Sequence, residues 1–217
     1  MERRYIAIAK GDIKIEQRAD GSAGRISGYG AVYYDGNPGT EYEVIPGLLK
    51  ERIMPGAFDR AIREDDVRSL FNHDPSLILG RSISGTLTLS VDKRGLIYSV
   101  DLGDTSIGKD VMEHIRRGDI SGASFGFIAS PEDQEWFTEE GIDIRVIRSL
   151  KLLDVGPVTY PAYADTTANA RDNEMFAEVR DAHNSYKEKV KKIAREAFGQ
   201  AAAARARAIE VEILSRQ

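Results

Sequence analysis

Cysteine is absent from the 217 residues. That excludes disulfides, thiolate metal ligands and a cysteine nucleophile together, and fits a reducing, intracellular compartment. Histidine occurs three times, at His73, His114 and His183, so a general base working near neutral pH has few candidates. No uncharged stretch approaches the roughly 18 apolar residues of a membrane span. Residues 1–5 lead into a strand-like Ile6-Ala7-Ile8 rather than a signal sequence, so a soluble chain without a membrane partner is expected. Positive charge does not dominate either: 30 Lys and Arg stand against 35 Asp and Glu, a formal charge of -5. Without an overall positive field the expected partners are proteins, not nucleic acid. The chain has no H-E-x-x-H and no EF-hand loop, and Gly108-Lys109-Asp110 lacks the glycine-rich lead and the hydroxyl of a phosphate loop. No metal or cofactor is implied.

What the chain does have is short strands. Between residue 5 and about 165, apolar positions recur at every second residue between glycine-containing turns. The clearest case is a hairpin: Leu87, Leu89 and Val91 alternate with polar residues up to Asp92-Lys93-Arg94-Gly95, and Leu96, Tyr98, Val100 and Leu102 resume the alternation. Further strands are expected over 28–34, 67–72, 124–129, 142–147 and 150–155, a number that favours closure into a barrel. Two helices interrupt the pattern. One lies near 56–63, with Phe58 and Ile62 four apart; the other runs over 106–117, with Ser106 as N-cap, Ile107, Val111 and Ile115 on one face, and Gly118 where a left-handed C-cap is wanted.

Past Pro161-Ala162-Tyr163 the composition turns polar and then rich in Ala, Glu, Lys and Arg. The boundary is set there, giving a β domain over 1–165 and a helical tail over 166–217. Phe176, Val179, His183, Tyr186, Val190, Ile193 and Ala197 alternate spacings of three and four, the seam of a helix that packs on another helix. Gly199 is expected to weaken or end it. Residues 201–217 suit either continued helix or a frayed terminus.

Chemistry concentrates in two segments. His73 closes a strand-like run beside Asp74-Pro75, where proline ends regular pairing and a side chain can face a cleft; the structural alternative is a turn histidine capping a strand. His114 reads as partly buried helix packing, and His183 as a register-setting residue in the tail seam. Ser124 opens Ser124-Phe125-Gly126-Phe127, where the glycine lets a substrate backbone approach and the aromatics hold the strand rigid. Ser121, before Gly122, reads as a turn residue. A serine nucleophile needs a base within reach and an acid to hold that base's tautomer. Asp154, set in the apolar Leu152-Leu153-Asp154-Val155 run, is the candidate acid because an unpaired carboxylate there is costly; its alternative is a strand-end residue bonded to backbone amides. Gly122-Ala123-Ser124-Phe125-Gly126 also satisfies G-x-S-x-G. That elbow needs a strand before it, a helix after it, and an acid then a histidine downstream, and the chain offers a strand-like run and only the tail histidine. The α/β-hydrolase reading is rejected.

From about residue 28 to 163 the sequence resembles the prohead, or capsid-maturation, serine proteases of tailed phages, related in fold to the herpesvirus assemblins. The resemblance rests on Met54-Pro55-Gly56-Ala57-Phe58, Asn72-His73-Asp74 with Leu79-Gly80, the Gly95-Leu96 hairpin, residues 121–127, and residues 152–163 with their Val158-Thr159-Tyr160-Pro161-Ala162-Tyr163 ending. It implies a mainly β, α+β fold: a closed, mostly antiparallel β-barrel of assemblin type with flanking helices and a helical C-terminal tail. It implies His73 as base and Ser124 as nucleophile. Phage relatives carry an acid in the block that here holds Asp154. Oxyanion donors stay open between backbone amides near the serine and an arginine-held water. The implied function is a serine endopeptidase acting in the host cytoplasm, inside the immature capsid. Its substrates would be the scaffold or the scaffolding segment of the major capsid protein, and itself; a homo-oligomer is compatible. The alternative is a catalytically weak scaffold or interaction protein of capsid assembly.

Overall fold

The computed structural model describes residues 2–6, 12–19, 23–160 and 177–214. Two units separate by their internal packing, Met1–Phe176 and Ala177–Gln217. The expected boundary at 165/166, the residues from 161 to 176 and the first seam position, Phe176, lie outside the described residues.

Among the described residues the first unit holds thirteen strands in three sheets. Five strands form the first, in the order β1 (Glu2–Ile6), β10 (Gly122–Ile128), β13 (Lys151–Val158), β6 (Arg68–Leu70), β7 (Ile78–Arg81). The second runs β11 (Gln134–Glu139), β12 (Ile142–Ile147), β5 (Leu49–Ile53), β4 (Tyr42–Ile45), and the third β2 (Lys14–Glu16), β3 (Arg25–Val32), β9 (Gly95–Asp101), β8 (Leu87–Val91). The fold is mainly β with few helices. The expected closed barrel is corrected: among the described residues none of the three sheets has its last strand bonded to its first. Alternation in sequence reports that a strand buries one face; closure depends on which edges meet, which alternation does not encode. Two pairings, β12 with β5 and β13 with β6, are parallel rather than antiparallel.

The hairpin lies where alternation predicts it, with Leu87, Leu89 and Val91 opposite Val100, Tyr98 and Leu96. The second predicted helix is α2 (Ser106–Arg117), ended by Gly118 at φ 83°; its N-cap is Thr105, whose hydroxyl accepts from Gly108 N, and not Ser106. The first predicted helix shrinks to α1 (Ala61–Glu64) behind turns over 55–60, because Gly56 sits at φ 91°, outside the helical region. One core draws Ile26, Tyr98 and Val100 from the third sheet, Phe125, Phe127 and Val155 from the first, Ile53 and Ile147 from the second, and Val111 and Ile115 from α2. The second unit is α3 (Ala177–Leu214), which continues through Gly199. A single interior glycine costs about 1 kcal/mol relative to alanine, too little to stop a helix followed by the run of alanines from 201 to 204. Among the described residues no helix is long and apolar enough to cross a membrane.

One row of the second sheet is ionic. Tyr42, Glu51, Arg145 and Trp136 stand opposite one another across β4, β5, β12 and β11. Glu51 is 0% and Arg145 1% exposed. Arg145 Nη1 donates to Glu51 Oε2 at 3.0 Å and its Nε to Gln134 Oε1 at 2.7 Å, with the guanidinium 5.6 Å from the Trp136 ring centre. Glu51→Ala removes the carboxylate facing a buried guanidinium and is expected to cost about 3–5 kcal/mol in denaturant unfolding. The joint replacement Glu51→Leu with Arg145→Met is expected to be close to neutral by the same measurement.

Candidate active site

β10 is buried along nearly its whole length, and its two faces do different work. Ala123, Phe125 and Phe127 face the core. Phe125 stacks on Phe127 with centroids 5.4 Å apart and meets Phe58 and Tyr42 edge-on at 5.6 and 6.2 Å. The aromatics therefore fix the strand from below. Ser124 and Gly126 take the other face.

β13 supplies the wall beside them. Ser124 stands opposite Gly156, and Gly126 opposite Asp154. Past Gly126 the register shifts, Phe127 pairing with Leu152, so Leu153 is the extra residue of a bulge next to the acid. Both glycines are required by space. A Cβ on Gly126 would lie 2.4 Å from Asp154 Oδ2, and one on Gly156 would lie 2.2 Å from the carbonyl oxygen of Leu70. Gly126 thus makes room for the carboxylate, where the sequence suggested room for a substrate backbone. Gly156 lets the end of β6 close onto β13.

Directly after β6 the chain turns, and Asn72 and His73 both adopt left-handed backbone conformations, with φ of 54° and 57°. Each costs of order 1 kcal/mol or more in a non-glycine residue. The turn holds itself together: Asp74 N donates to Phe71 O, Phe71 N to Leu77 O, and Leu77 N to Asp74 O. The Ser76 hydroxyl and amide both donate to Asp74 Oδ1, which keeps that carboxyl below its ordinary range. Asp74, although next to His73 in sequence, is engaged in bracing the turn.

The turn lays the His73 ring over the β10–β13 pair. Its Nε2 is 2.6 Å from Ser124 Oγ, and its Nδ1 is hydrogen-bonded to Asp154 Oδ1. Ser124, His73 and Asp154 are 0%, 3% and 2% exposed. The three residues nominated from sequence are therefore brought together, in the order hydroxyl, imidazole, carboxylate. Ser121 precedes β10 and stays outside the cluster. His114 departs from expectation: it is half exposed on α2, with Nδ1 3.3 Å from Asp119 Oδ2, and packs no core. His183 lies on α3. Among the described residues no cluster of His, Asp and Glu has the geometry to hold a metal ion.

Residues 12–181 match the family of caudovirus prohead serine proteases. The chain belongs to that family. The matched span contains Ser124, His73 and Asp154 of this prohead protease family member. Among solved structures, the bacteriophage T4 capsid assembly protease is similar at 16% identity and a TM-score of 0.45, over 74% of this chain and 100% of that one. Among curated proteins none matches the sequence.

Sequence reasoning missed Asn72 and the spatial roles of Gly126 and Gly156. Only the S-x-G spacing pointed towards Gly126. Gly126→Ala is expected to cost about 1–3 kcal/mol through overpacking. A denaturation midpoint measures that cost, and a crystal structure of the variant is expected to show the Asp154 carboxylate swung away from His73.

Proposed function

We propose that this chain is a serine endopeptidase in which Ser124 is the nucleophile, His73 the general base and then acid, and Asp154 the carboxylate that orients the imidazole. The observation that carries the proposal is the single imidazole bonded on one nitrogen to a buried hydroxyl and on the other to a buried carboxylate. Asp154 accepts from Nδ1–H, which leaves the Nε2 lone pair facing Ser124 Oγ–H. Ser124 Oγ then bonds the scissile carbonyl carbon as its proton passes to Nε2, and the imidazolium is held by Asp154. Collapse of the tetrahedral adduct breaks the C–N bond, and Nε2 returns the proton to the leaving amine. A water deprotonated by the same nitrogen hydrolyses the acyl-enzyme. Burial strengthens each of these charge interactions relative to water.

Family membership supports work in the host cytoplasm, inside the immature head, on the scaffold or the scaffolding segment of the major capsid protein and on the enzyme itself. Confinement suits such chemistry, because a shell packed with substrate chains supplies the local concentration that tight binding otherwise provides. The tail over 166–217 is the part proposed to dock on scaffold helices and to be lost by self-cleavage. α3, about 57 Å long by helical rise, leaves Val190, Ile193 and Phe198 exposed at 44%, 64% and 78%, apolar surface suited to a helical partner. The same surface is what a catalytically weak scaffold protein would use.

Mass spectrometry of purified protein over time separates the two readings. The wild type is expected to shorten at discrete sites, Ser124→Ala to stay intact, and Asp154→Asn to slow by a factor on the order of 10⁴. Equal persistence of wild type and Ser124→Ala would favour the scaffold. For the tail, removing residues 174–217 is expected to abolish incorporation into shells; undiminished incorporation would refute docking through α3.

A further inference from the structure

Asn72 lies on the surface, yet three hydrogen bonds tie it to the C-terminal end of β13, eighty-odd residues along the chain. Its backbone amide donates to Pro157 O at 3.1 Å. Its side-chain Nδ2 donates to Thr159 Oγ1 at 3.1 Å, and Thr159 N donates to its Oδ1 at 2.8 Å. Pro157 carries no backbone N–H, and its carbonyl accepts the turn's amide. The two-way side-chain contact uses both ends of the carboxamide, which no other side chain of that length supplies with one donor and one acceptor.

The location of this clamp matters more than its strength. β13 carries Asp154 in its interior and Thr159 just past its end. The residue that grips Thr159 is immediately followed by the histidine that bonds Asp154. Acid and clamp therefore share one strand, and the height of His73 above Asp154 is set by backbone held at Asn72. Asparagine is also among the few non-glycine residues that tolerate the left-handed region, and Asn72 occupies it at φ 54° directly before His73 at φ 57°. Without the carboxamide the turn keeps its own backbone bonds and the Asn72 amide bond to Pro157 O, but loses both side-chain ties to Thr159 that hold it at the end of β13.

We propose that Asn72 is a positioning residue for the imidazole: its carboxamide, clamped to Thr159, holds the left-handed turn that sets His73 between Asp154 and Ser124. This rests on the serine-protease reading of the site. Asn72 directs its hydrogen bonds to Pro157 and Thr159, and acts on the imidazole through the backbone of its neighbour.

The test is the kinetics of Ser124 modification by a fluorophosphonate on the full chain, paired with the low-field proton NMR resonance of a histidine Nδ1–H bonded to a carboxylate. Asn72→Ala is expected to lower the maximal modification rate about a hundredfold, the scale of a 1 Å misplacement, while the reagent's half-saturation stays within about twofold. The low-field resonance is expected to weaken or vanish. Asn72→Asp keeps both the acceptor for Thr159 N and tolerance of the turn, and is expected to recover to within about tenfold of wild type. A merely structural staple would lower the rate only in proportion to the unfolded fraction and leave the resonance of the folded molecules in place. That result, or a wild-type rate with an unmoved resonance, overturns the proposal. Should Asn72→Ala not fold, Thr159→Val, which removes only the hydroxyl acceptor, decides on the same two readouts. If wild type is not modified at all, the protease reading fails by itself, and the resonance still reports whether Asn72 governs His73.

Discussion

One imidazole bonded to both a hydroxyl and a carboxylate is the constraint to which the first sheet is fitted. Meeting it requires β10 and β13 to present Ser124 and Asp154 on the same face, a ring's width apart, and a turn to lay His73 over them. The bulge at Leu153 re-aims the acid, Gly126 clears its space, and Gly156 admits the strand that leads to the turn. The aromatic layer under β10 then removes the strand's freedom to drift. Each device is minor alone. Together they hold three polar groups in a nearly dry site where none can be left without a partner.

The second sheet meets a related demand differently. Glu51 and Arg145 are charges withdrawn from water, and the sheet compensates them by placing them opposite one another in register, with Trp136 next in the row and Gln134 accepting from the guanidinium. Such a pair contributes little net stability against an apolar replacement. It does penalise a slip of one residue between β5 and β12 strongly, since the slip would turn one charge to the other face and leave its partner buried alone. The row reaches Tyr42, whose ring lies edge-on against Phe125 beneath the serine strand.

Much of this was readable in the chain, and what was not has a common cause. The β8–β9 hairpin and α2 declare themselves because their signals are local: alternation of period two in one, a left-handed glycine after a periodic apolar face in the other. Ser124, His73 and Asp154 stood out as polar residues in apolar or turn-bounded settings. Sheet closure was misjudged because it depends on strand edges, and α1 was overextended because Gly56 breaks the helix that Phe58 and Ile62 suggested. Thr105 rather than Ser106 caps α2, a one-residue distinction between two hydroxyls that only backbone geometry makes. The duties of Gly126, Gly156 and Asn72 depend on partners 28 to 87 residues away in sequence, across a register altered by a bulge. No window of neighbouring residues contains that information.

That same long-range dependence governs timing. His73, Ser124 and Asp154 come from a turn and two strands, and β13, the last strand of the sheet, must find β10 on one side and β6 on the other before the three side chains meet. Contacts so distant along the chain are late to form. A growing or half-collapsed chain therefore holds an ordinary serine, and the hydroxyl meets the imidazole only once β6, β13 and β10 are side by side. For a molecule proposed to cut its own kind, the topology is itself a delay built into folding.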